Sequence, residues 1–279
     1  TGSSMLQIDQ KEGDLSRRVV MYTMHGMSFR EYLSFEGVLS YNPVKFEDLI
    51  ENHVAIATDI TSKIKVIPYF KDYCKYGYYP FYKEDIDGFN TRLVEVCRQI
   101  IENDIPAVED VAYATVLKLK KLLMIIAQQV PFIPKMEDLY AQLETSREQG
   151  LRLLELLERG ALLGLLKSTV KKLKQMSSPQ KMFLDNTNLV YALHDNPEIG
   201  TIRETFFFNQ VSRILLVNHT KIGDFLVDEK YIIEVGASSR DIRLTEEVSM
   251  DGKKENFPCT DLQSYYDGSF SDLDFSKLL

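Results

Sequence analysis

The chain has 279 residues, 44% of them hydrophobic, so it is long enough for two domains and can supply hydrophobic cores. Its net charge of -8 at pH 7 excludes a global positive field that would attract nucleic acid, so any DNA contact needs a local basic patch. Three widely spaced cysteines fit neither a disulfide framework nor a zinc knuckle, and they favour a reducing cytoplasm. The strongest apolar run, residues 151–166, is broken by charges, so no membrane span is expected.

A polar loop and the start of a helix form the first part of the chain. Residues 1–18 contain the sequence Thr-Gly-Ser-Ser and a basic pair, and an apolar stretch at residues 19–22 predicts a strand. Ser28 has the side chain of an N-cap, and Glu31 three residues later completes a capping box. We therefore expect a helix to begin after Ser28.

Short helices and an aromatic segment follow. Loose alternation of apolar and charged residues over 46–56 and 64–79, interrupted by Pro68 and Pro80, predicts the helices of a lid. Residues 73–82 are rich in tyrosine and lie among lysines, a combination that can stack nucleic-acid bases. Packing around a helix is the interpretation we favour, because aromatic residues are generally buried.

Three amphipathic segments and a strand occupy the middle of the chain. Helical periodicity over residues 111–129, 136–143 and 146–159 precedes an apolar strand at residues 182–184, which is the element order of a winged helix-turn-helix. The candidates for contacts with DNA phosphates are Arg147, Arg152, Lys171 and Lys172. Glutamates lie on the same predicted helix, residues 146–159, as Arg147 and Arg152. A winged helix that binds a protein is therefore the alternative.

A sequence at residues 164–169, Gly-Leu-Leu-Lys-Ser-Thr, imitates a phosphate-binding loop. Such a loop needs glycine immediately before its lysine and must follow a strand. Here Leu166 precedes Lys167, and we expect the segment to lie on the tail of a helix. We therefore exclude it as a nucleotide site.

Three acidic residues in the last part of the chain are spaced like the centre of a metal-dependent nuclease. Glu204 falls on a predicted helix, and Asp224 and Glu234 fall on two predicted strands. The predicted ranges are 199–216 for the helix and 222–227 and 231–235 for the strands. Because Mg²⁺ prefers oxygen ligands, one interpretation is a magnesium ion at Asp224 and Glu234. The other is ordinary charge on a solvated helix face and on edge strands.

The order of these motifs resembles a family of bacterial and archaeal AAA-type ATPases. The shared motifs are T-G-S-S, the basic pair, S-F-R-E-Y-L from Ser28, Y-G-Y-Y-P from Tyr76 and D-N-T-N-L from Asp185. Tyr78 stands where many members have a second glycine. In that family the ATPase domain is followed by a helical lid, a winged helix and a C-terminal domain like the PD-(D/E)XK nucleases.

The resemblance implies an α+β fold that is mainly helical, divided into five regions. These are the end of an ATPase core at residues 1–33, a helical lid at 34–105, a winged helix-turn-helix at 106–184, part of a nuclease-like domain at 185–236 and an acidic tail at 237–279 that is expected to be disordered. The phosphate-loop segment would precede the sequence given. The resemblance also assigns nucleotide sensing to Ser3, Ser4, Arg17 and Arg18.

The nuclease-like acids are incomplete when compared with that fold. A nuclease of this type carries a lysine two residues after the second strand acid, where it stabilises negative charge on the phosphate. Gly236 holds that position here, so Lys221 or Lys230 would have to substitute for it. We expect Glu204, Asp224 and Glu234 to be a degenerate centre without nuclease activity.

The expected function is therefore transmission of nucleotide state. The full-length protein would bind ATP and Mg²⁺ through its missing N-terminal segment, while this part would bind no cofactor and be inactive alone. Nucleotide sensed near Ser4, Arg17 and Arg18 would move the winged-helix and nuclease-like domains on a partner, with DNA or a protein as candidates. The alternative is a stand-alone winged-helix adaptor without catalysis.

Overall fold

The computed structural model describes residues 23–131, 133, 135–168 and 178–235, and it is α+β and mostly helical. The first helix, α1 (Phe29–Phe35), begins as predicted, because the Ser28 hydroxyl accepts the Glu31 N–H and the Glu31 carboxylate accepts the Ser28 N–H. The capping box is thereby confirmed.

The segments expected to form a lid are helical throughout most of their length. The elements are α2 (Phe46–Lys63), α3 (Val66–Asp72) with a π-helical turn after it (Tyr73–Gly77), a 3₁₀ turn (Pro80–Lys83), α4 (Phe89–Gln99) with a second π-helical turn (Ile100–Asp104), and α5 (Ile105–Val108). Pro68 does not interrupt α3, because it lies in the first turn, where backbone N–H groups have no helical partner.

Three helices and a hairpin form the middle of the molecule. They are α6 (Tyr113–Gln129), α7 (Met136–Gln142), α8 (Arg147–Arg159), β1 (Leu163–Leu166) and β2 (Lys181–Leu184). Ser146 caps α8 by accepting the Gln149 N–H. The two strands are antiparallel, and Leu166 pairs with Lys181 at one end of the hairpin.

The expectation that residues 164–169 lie on the tail of a helix is wrong, because residues 163–166 form β1. Helix α8 ends at Arg159, before these residues. Ala161 then has a left-handed backbone, with φ 53°, and the Leu162 N–H donates to the Leu157 carbonyl. This C-terminal motif turns the chain away from the helix axis. The apolar residues that follow are then free to pair with β2.

Two helices and a small sheet complete the described chain. They are α9 (Thr187–Leu193), α10 (Ile199–Val211), β3 (Val217–Asn218), β4 (Phe225–Val227) and β5 (Tyr231–Ile233). The strands form an antiparallel sheet in the order β3-β4-β5. At the turn, where Asp228 and Glu229 have positive φ, β4 ends and β5 begins as predicted. The strands are shorter than predicted at their other ends, because β4 begins at Phe225 and β5 ends at Ile233.

The buried residues form one hydrophobic cluster that extends from α1 to β5. Helix α10 is buried on most of its circumference, including three consecutive phenylalanines at residues 206–208. The tyrosines of residues 73–82 also lie mostly within this core, as predicted, with Tyr73, Tyr78 and Tyr82 buried. No helix among the described residues has the length and apolar character needed to cross a membrane.

Several predicted sites lie outside the described residues. They are Ser3, Ser4, Arg17, Arg18, Lys171, Lys172, Gly236 and the acidic tail. The division of the chain into ATPase core, lid, winged helix and nuclease-like domain stays a prediction.

Candidate functional site

A lysine and the predicted acids come together between the hairpin and helix α10. Lys181, the first residue of β2, makes an ion pair with Glu204 of α10, and its ammonium lies 3.6 Å from Oδ1 of Asp224, just before β4. The side chains are 12%, 14% and 24% exposed for Lys181, Glu204 and Asp224 respectively. We refer to Lys181, Glu204, Asp224 and Glu234 as the lysine-acid cluster.

The backbone of β5 fixes the position of Asp224. Oδ2 of Asp224 accepts the Val235 N–H at 2.8 Å, and the Asp224 N–H donates to the Ile233 carbonyl at 3.0 Å. One carboxylate oxygen is therefore used by the fold, and Oδ1 is the oxygen nearest to Lys181 in the ion pair. Glu204 receives its position from α10, whose apolar neighbours are packed into the core.

Electrostatic interactions extend the cluster to Glu234 and to a histidine. Burial raises the pKa of Glu204, and the negative charges of Asp224 and Glu234 raise it further, while the Lys181 ammonium opposes this shift. Burial lowers the pKa of His219, and the positive charges of Lys181 and Lys221 add to that effect. The three acids separated in sequence thus act on one another in the structure.

The residues in this arrangement do not fit a magnesium ion. Among residues 23–131, 133, 135–168 and 178–235, no three His, Cys, Asp or Glu side chains are grouped so that they could hold a metal. The Lys181 ammonium already contacts the carboxylates of Glu204 and Asp224 that a hard cation would use.

Sequence reasoning missed Lys181. It placed the substituting cation at Lys221 or Lys230, but the Lys230 ammonium donates to the Tyr231 hydroxyl at 2.8 Å and lies over that ring. Lys221 is exposed. The only local signal was a single charge at the start of the apolar sequence Met-Phe-Leu, and this signal could not indicate which acids the lysine would contact.

A second group of polar residues joins the loop before α1 to helix α10. The Phe29 N–H donates to Oε1 of Gln210 at 3.2 Å, and Nε2 of Gln210 donates to the Tyr73 hydroxyl at 3.0 Å. That hydroxyl donates in turn to the Met27 carbonyl at 2.8 Å. Gln210 therefore binds the start of α1 both directly and through Tyr73.

Arg213, two residues beyond the end of α10, makes a parallel connection. Its guanidinium donates to the Gly26 carbonyl at 2.9 Å and to Oδ1 of Asn209 at 2.6 Å. Asn209 donates to the Asp185 carbonyl at 2.8 Å, and Asp185 accepts the Tyr78 hydroxyl at 3.2 Å. Burial raises the pKa of Tyr78 to about 12, and the nearby Asp185 charge contributes to this shift.

Asn188 completes this group from helix α9. Its side-chain oxygen accepts the Tyr78 N–H at 3.0 Å, and its amide donates to the carbonyls of Tyr73 and Cys74 at 2.9 and 2.8 Å. The side chain is fully buried and makes every one of these bonds to backbone groups of the π-helical turn and its neighbour. We call Tyr73, Tyr78, Asn188, Gln210 and Arg213 the tyrosine network.

The two described candidates for DNA contact lie on α8, and one of them is ion-paired. Arg152 and Arg159 both bind Glu109, at 2.8 and 2.9 Å. Arg147, at the start of the helix, lines a surface cavity together with Tyr140. The positive charge that α8 presents is therefore partly neutralised by an acid from outside the helix.

Comparison with protein-family models, with curated proteins and with solved structures finds no match for this chain.

Proposed function

We propose that this chain is the lid, winged-helix and nuclease-like part of an AAA-type ATPase, and that it transmits nucleotide state to a partner. The observation that carries the proposal is the binding of the backbone of residues 26–29 by Gln210 and Arg213. In the family that the motifs resemble, these residues directly follow the nucleotide-sensing segment. A displacement of that segment would therefore act first on α10.

Helix α10 is suited to carry such a displacement further. Gln210 and Glu204 lie on the same helix, six residues or roughly 9 Å apart along its axis. Glu204 is ion-paired with Lys181 of the hairpin, so the helix contacts the residues after the sensing segment at one end and the hairpin near its middle. Movement of α10 as a rigid element would reposition the hairpin.

The order α6, α7, α8, β1, β2 supports a winged helix as the part that is moved, because three helices followed by a hairpin are typical of that module. ATP and Mg²⁺ would bind in the phosphate-loop segment of the full-length protein. This chain would sense the γ-phosphate through Ser3, Ser4, Arg17 and Arg18, because guanidinium groups suit phosphate oxygens. DNA is one candidate for the partner.

The second candidate function is a stand-alone winged-helix adaptor that binds a protein. The observation in its favour is the pairing of Arg152 and Arg159 with Glu109, which leaves α8 with less free positive charge for a phosphate backbone. The Glu158 carboxylate also pairs with Lys167, close to β1. An adaptor of this kind needs no nucleotide.

Calorimetric titration with ATP separates the two functions. We expect no binding by this chain and tight binding by the protein extended upstream to include a phosphate loop. In the extended protein, ATP should change hydrogen exchange in α8 and β1, and the double variant Gln210→Ala/Arg213→Ala should bind ATP but lose that distant change. Arg98→Ala, an exposed ion-pair residue on α4, is the matched control. Absence of nucleotide binding by the extended protein would leave the adaptor.

A further inference from the structure

Helix α6 presents an apolar stripe to solvent. Tyr113, Leu117 and Met124 are 77%, 47% and 44% exposed, although the opposite face of the helix is buried. Their spacing of four and seven residues places them on one line along the helix, together with the exposed Lys121. Single exposed apolar residues are ordinary on a protein surface, whereas a line of them marks a surface for another segment. We call Tyr113, Leu117, Lys121 and Met124 the α6 stripe.

The charge along this stripe is positive. Lys118 and Lys121 each donate to a backbone carbonyl, Lys121 at the last residue of α7 and Lys118 two residues beyond it. Those carbonyls carry no net charge, so these bonds do not neutralise the two ammonium groups. Lys120 differs, because it is ion-paired with Glu102. The segment that covers the stripe should therefore combine apolar side chains with acidic ones.

A second copy of the stripe is a poor occupant. Two chains related by a twofold axis would place the same surface of each chain against itself. Lys121 is at the middle of α6, so a parallel pair in register, or an antiparallel pair centred on the helix, would bring the two Lys121 ammonium groups together. Like charges repel one another, and this repulsion opposes such a dimer.

The chain itself contains a segment with the required chemistry. Residues 255–276 contain five acids, five aromatic residues and no lysine or arginine. The acids are Glu255, Asp261, Asp267, Asp272 and Asp274, and the aromatic residues are Phe257, Tyr265, Tyr266, Phe270 and Phe275. We propose that this acidic aromatic segment docks on the α6 stripe of its own chain. The proposal does not depend on nucleotide transmission.

The acidic aromatic segment is long enough in its connection to reach α6. It begins 20 residues after Val235, the last described residue, and those residues span up to about 65 Å when extended. Compact chains of this size have a radius of gyration of about 17 Å, so α6 lies within that reach. Covalent attachment also gives the segment an effective concentration at the stripe that a separate acidic peptide lacks.

The test uses the cysteine within the acidic aromatic segment. Cys259 lies in that segment, whereas Cys74 and Cys97 are buried in the core. Burial raises the pKa of both buried thiols, to about 12 for Cys97, so a nitroxide reagent should react with them slowly. In the full chain, a nitroxide on Cys259 should broaden the NMR signals of the backbone amides of residues 113–124. Reduction of the nitroxide should restore those signals.

Variants of the stripe test whether the contact is specific. We expect Leu117→Ser/Met124→Ser and Lys121→Glu each to reduce the paramagnetic broadening by roughly 2-fold or more, because they remove apolar contact and the attracting charge. These side chains are exposed, so the variants should keep the amide spectrum of the folded chain. Lys65→Glu, at an exposed lysine just before α3, is the matched control and should leave the broadening unchanged.

A mixed sample separates docking within one chain from docking between two copies. Isotope-labelled Cys259→Ser is mixed with unlabelled wild type that carries the nitroxide, and we expect no broadening of the α6 amides. Broadening there as strong as in the single-chain sample would overturn the proposal. So would α6 amides that broaden no more than the exposed amides of α2, or broadening that persists in both stripe variants.

Discussion

The guanidinium carbon of Arg213 lies 4.9 Å from the centre of the Tyr78 ring, and the same guanidinium donates a hydrogen bond to the Gly26 carbonyl. One side chain thus joins the loop before α1, the aromatic segment and the end of α10. The Met27 N–H donates to the Tyr78 carbonyl at 2.9 Å, which brings the same two segments together through the backbone. These contacts attach residues 26–28, which are partly buried, to the core.

We expect Arg213→Ala to lower the free energy of unfolding by about 2 kcal/mol, because it removes a cation-π contact and charge-assisted hydrogen bonds in a partly buried place. Arg213→Lys should recover less than half of that loss, since an ammonium cannot stack flat on a ring while its N–H groups donate to two separate acceptors, as the planar guanidinium does. Urea denaturation measures both. The control Arg98→Ala removes an exposed ion pair and should change stability by less than about 0.5 kcal/mol. Equal effects of Arg213→Ala and Arg98→Ala would contradict this account.

Asn188→Ala should lower the free energy of unfolding by about 3 kcal/mol, because it leaves a buried N–H and two buried carbonyls without their partner. Asn188→Asp should be no more stable than the alanine variant, since a carboxylate cannot donate to the Tyr73 and Cys74 carbonyls. Asn90→Ala, at an exposed position on α4, is the matched control and should be nearly neutral. Thermal and urea unfolding measure the order of stability of these variants. A loss of stability in Asn188→Ala no larger than that in Asn90→Ala would mean that water replaces the amide.

Substitution of two glycines by alanine should change the stability of the chain in opposite directions. A Cβ at Gly26 would meet the ring of Tyr78, with the ring carbon Cζ only 2.6 Å away, so Gly26→Ala should destabilise the chain by about 1–3 kcal/mol. A Cβ at Gly200, in the first turn of α10, would meet nothing within 4 Å, so Gly200→Ala should stabilise it by about 0.5 kcal/mol. Parallel urea titrations of the two variants test the prediction, which requires the difference in sign.

Local sequence signals were sufficient where the interaction itself is local. The capping box of Ser28 and Glu31 spans three residues, and its geometry depends on little else. The helices predicted at residues 136–143 and 146–159 are present as α7 and α8, within a residue at each end, because their apolar periodicity matches the face they bury.

Tertiary partners decided the features that sequence reasoning missed. Strand β1 has the sequence Leu-Gly-Leu-Leu directly after a leucine-rich helix, so only its pairing with β2 makes it a strand. The partners of Lys181 lie on α10 and before β4, and no spacing in the sequence relates the lysine to them. Asn188 was visible as part of the D-N-T-N-L motif, but its three bonds across the core were not.

Glu109 gives a prediction about salt and acid. Its pKa is lowered chiefly by the hydrogen bond from Arg159, with Arg152 contributing, against the opposing effect of burial. An acid with a lowered pKa adds stability above its ordinary pKa, and that contribution is lost as the pH falls through the lowered value. Glu109→Gln should therefore lower the free energy of unfolding by up to about 1 kcal/mol at neutral pH and low salt.

The same variant should differ less from the wild type in about 1 M salt, where the Debye length falls to about 3 Å. It should also differ less at low pH, where Glu109 of the wild type becomes protonated. Urea unfolding of both proteins across salt concentration and pH measures this convergence. A difference that persists in high salt would mean that the loss comes from the hydrogen bonds that both carboxylate oxygens accept from Arg152 and Arg159, because an amide nitrogen cannot accept one of them.

Asp185 should have the opposite dependence on pH. Burial raises its pKa above the ordinary value of 3.8, although the hydrogen bonds from Asn186 and Tyr78 and the Arg213 charge oppose the shift. The folded chain therefore holds this proton more tightly than the unfolded chain, so the contribution of Asp185 to stability is greatest below its ordinary pKa. That contribution falls as the pH rises from the ordinary value to the raised one.

Asp185→Asn removes the titrating group and keeps an oxygen that can accept the Tyr78 hydroxyl. As the pH rises above about 4, the stability of the wild type should fall relative to that of Asp185→Asn. Urea unfolding of the two proteins at each pH gives the difference directly, and other titrating groups cancel because both proteins share them. If the wild type instead became more stable relative to Asp185→Asn as the pH rises, the Asn186 and Tyr78 hydrogen bonds and the Arg213 charge would together outweigh burial at this carboxylate.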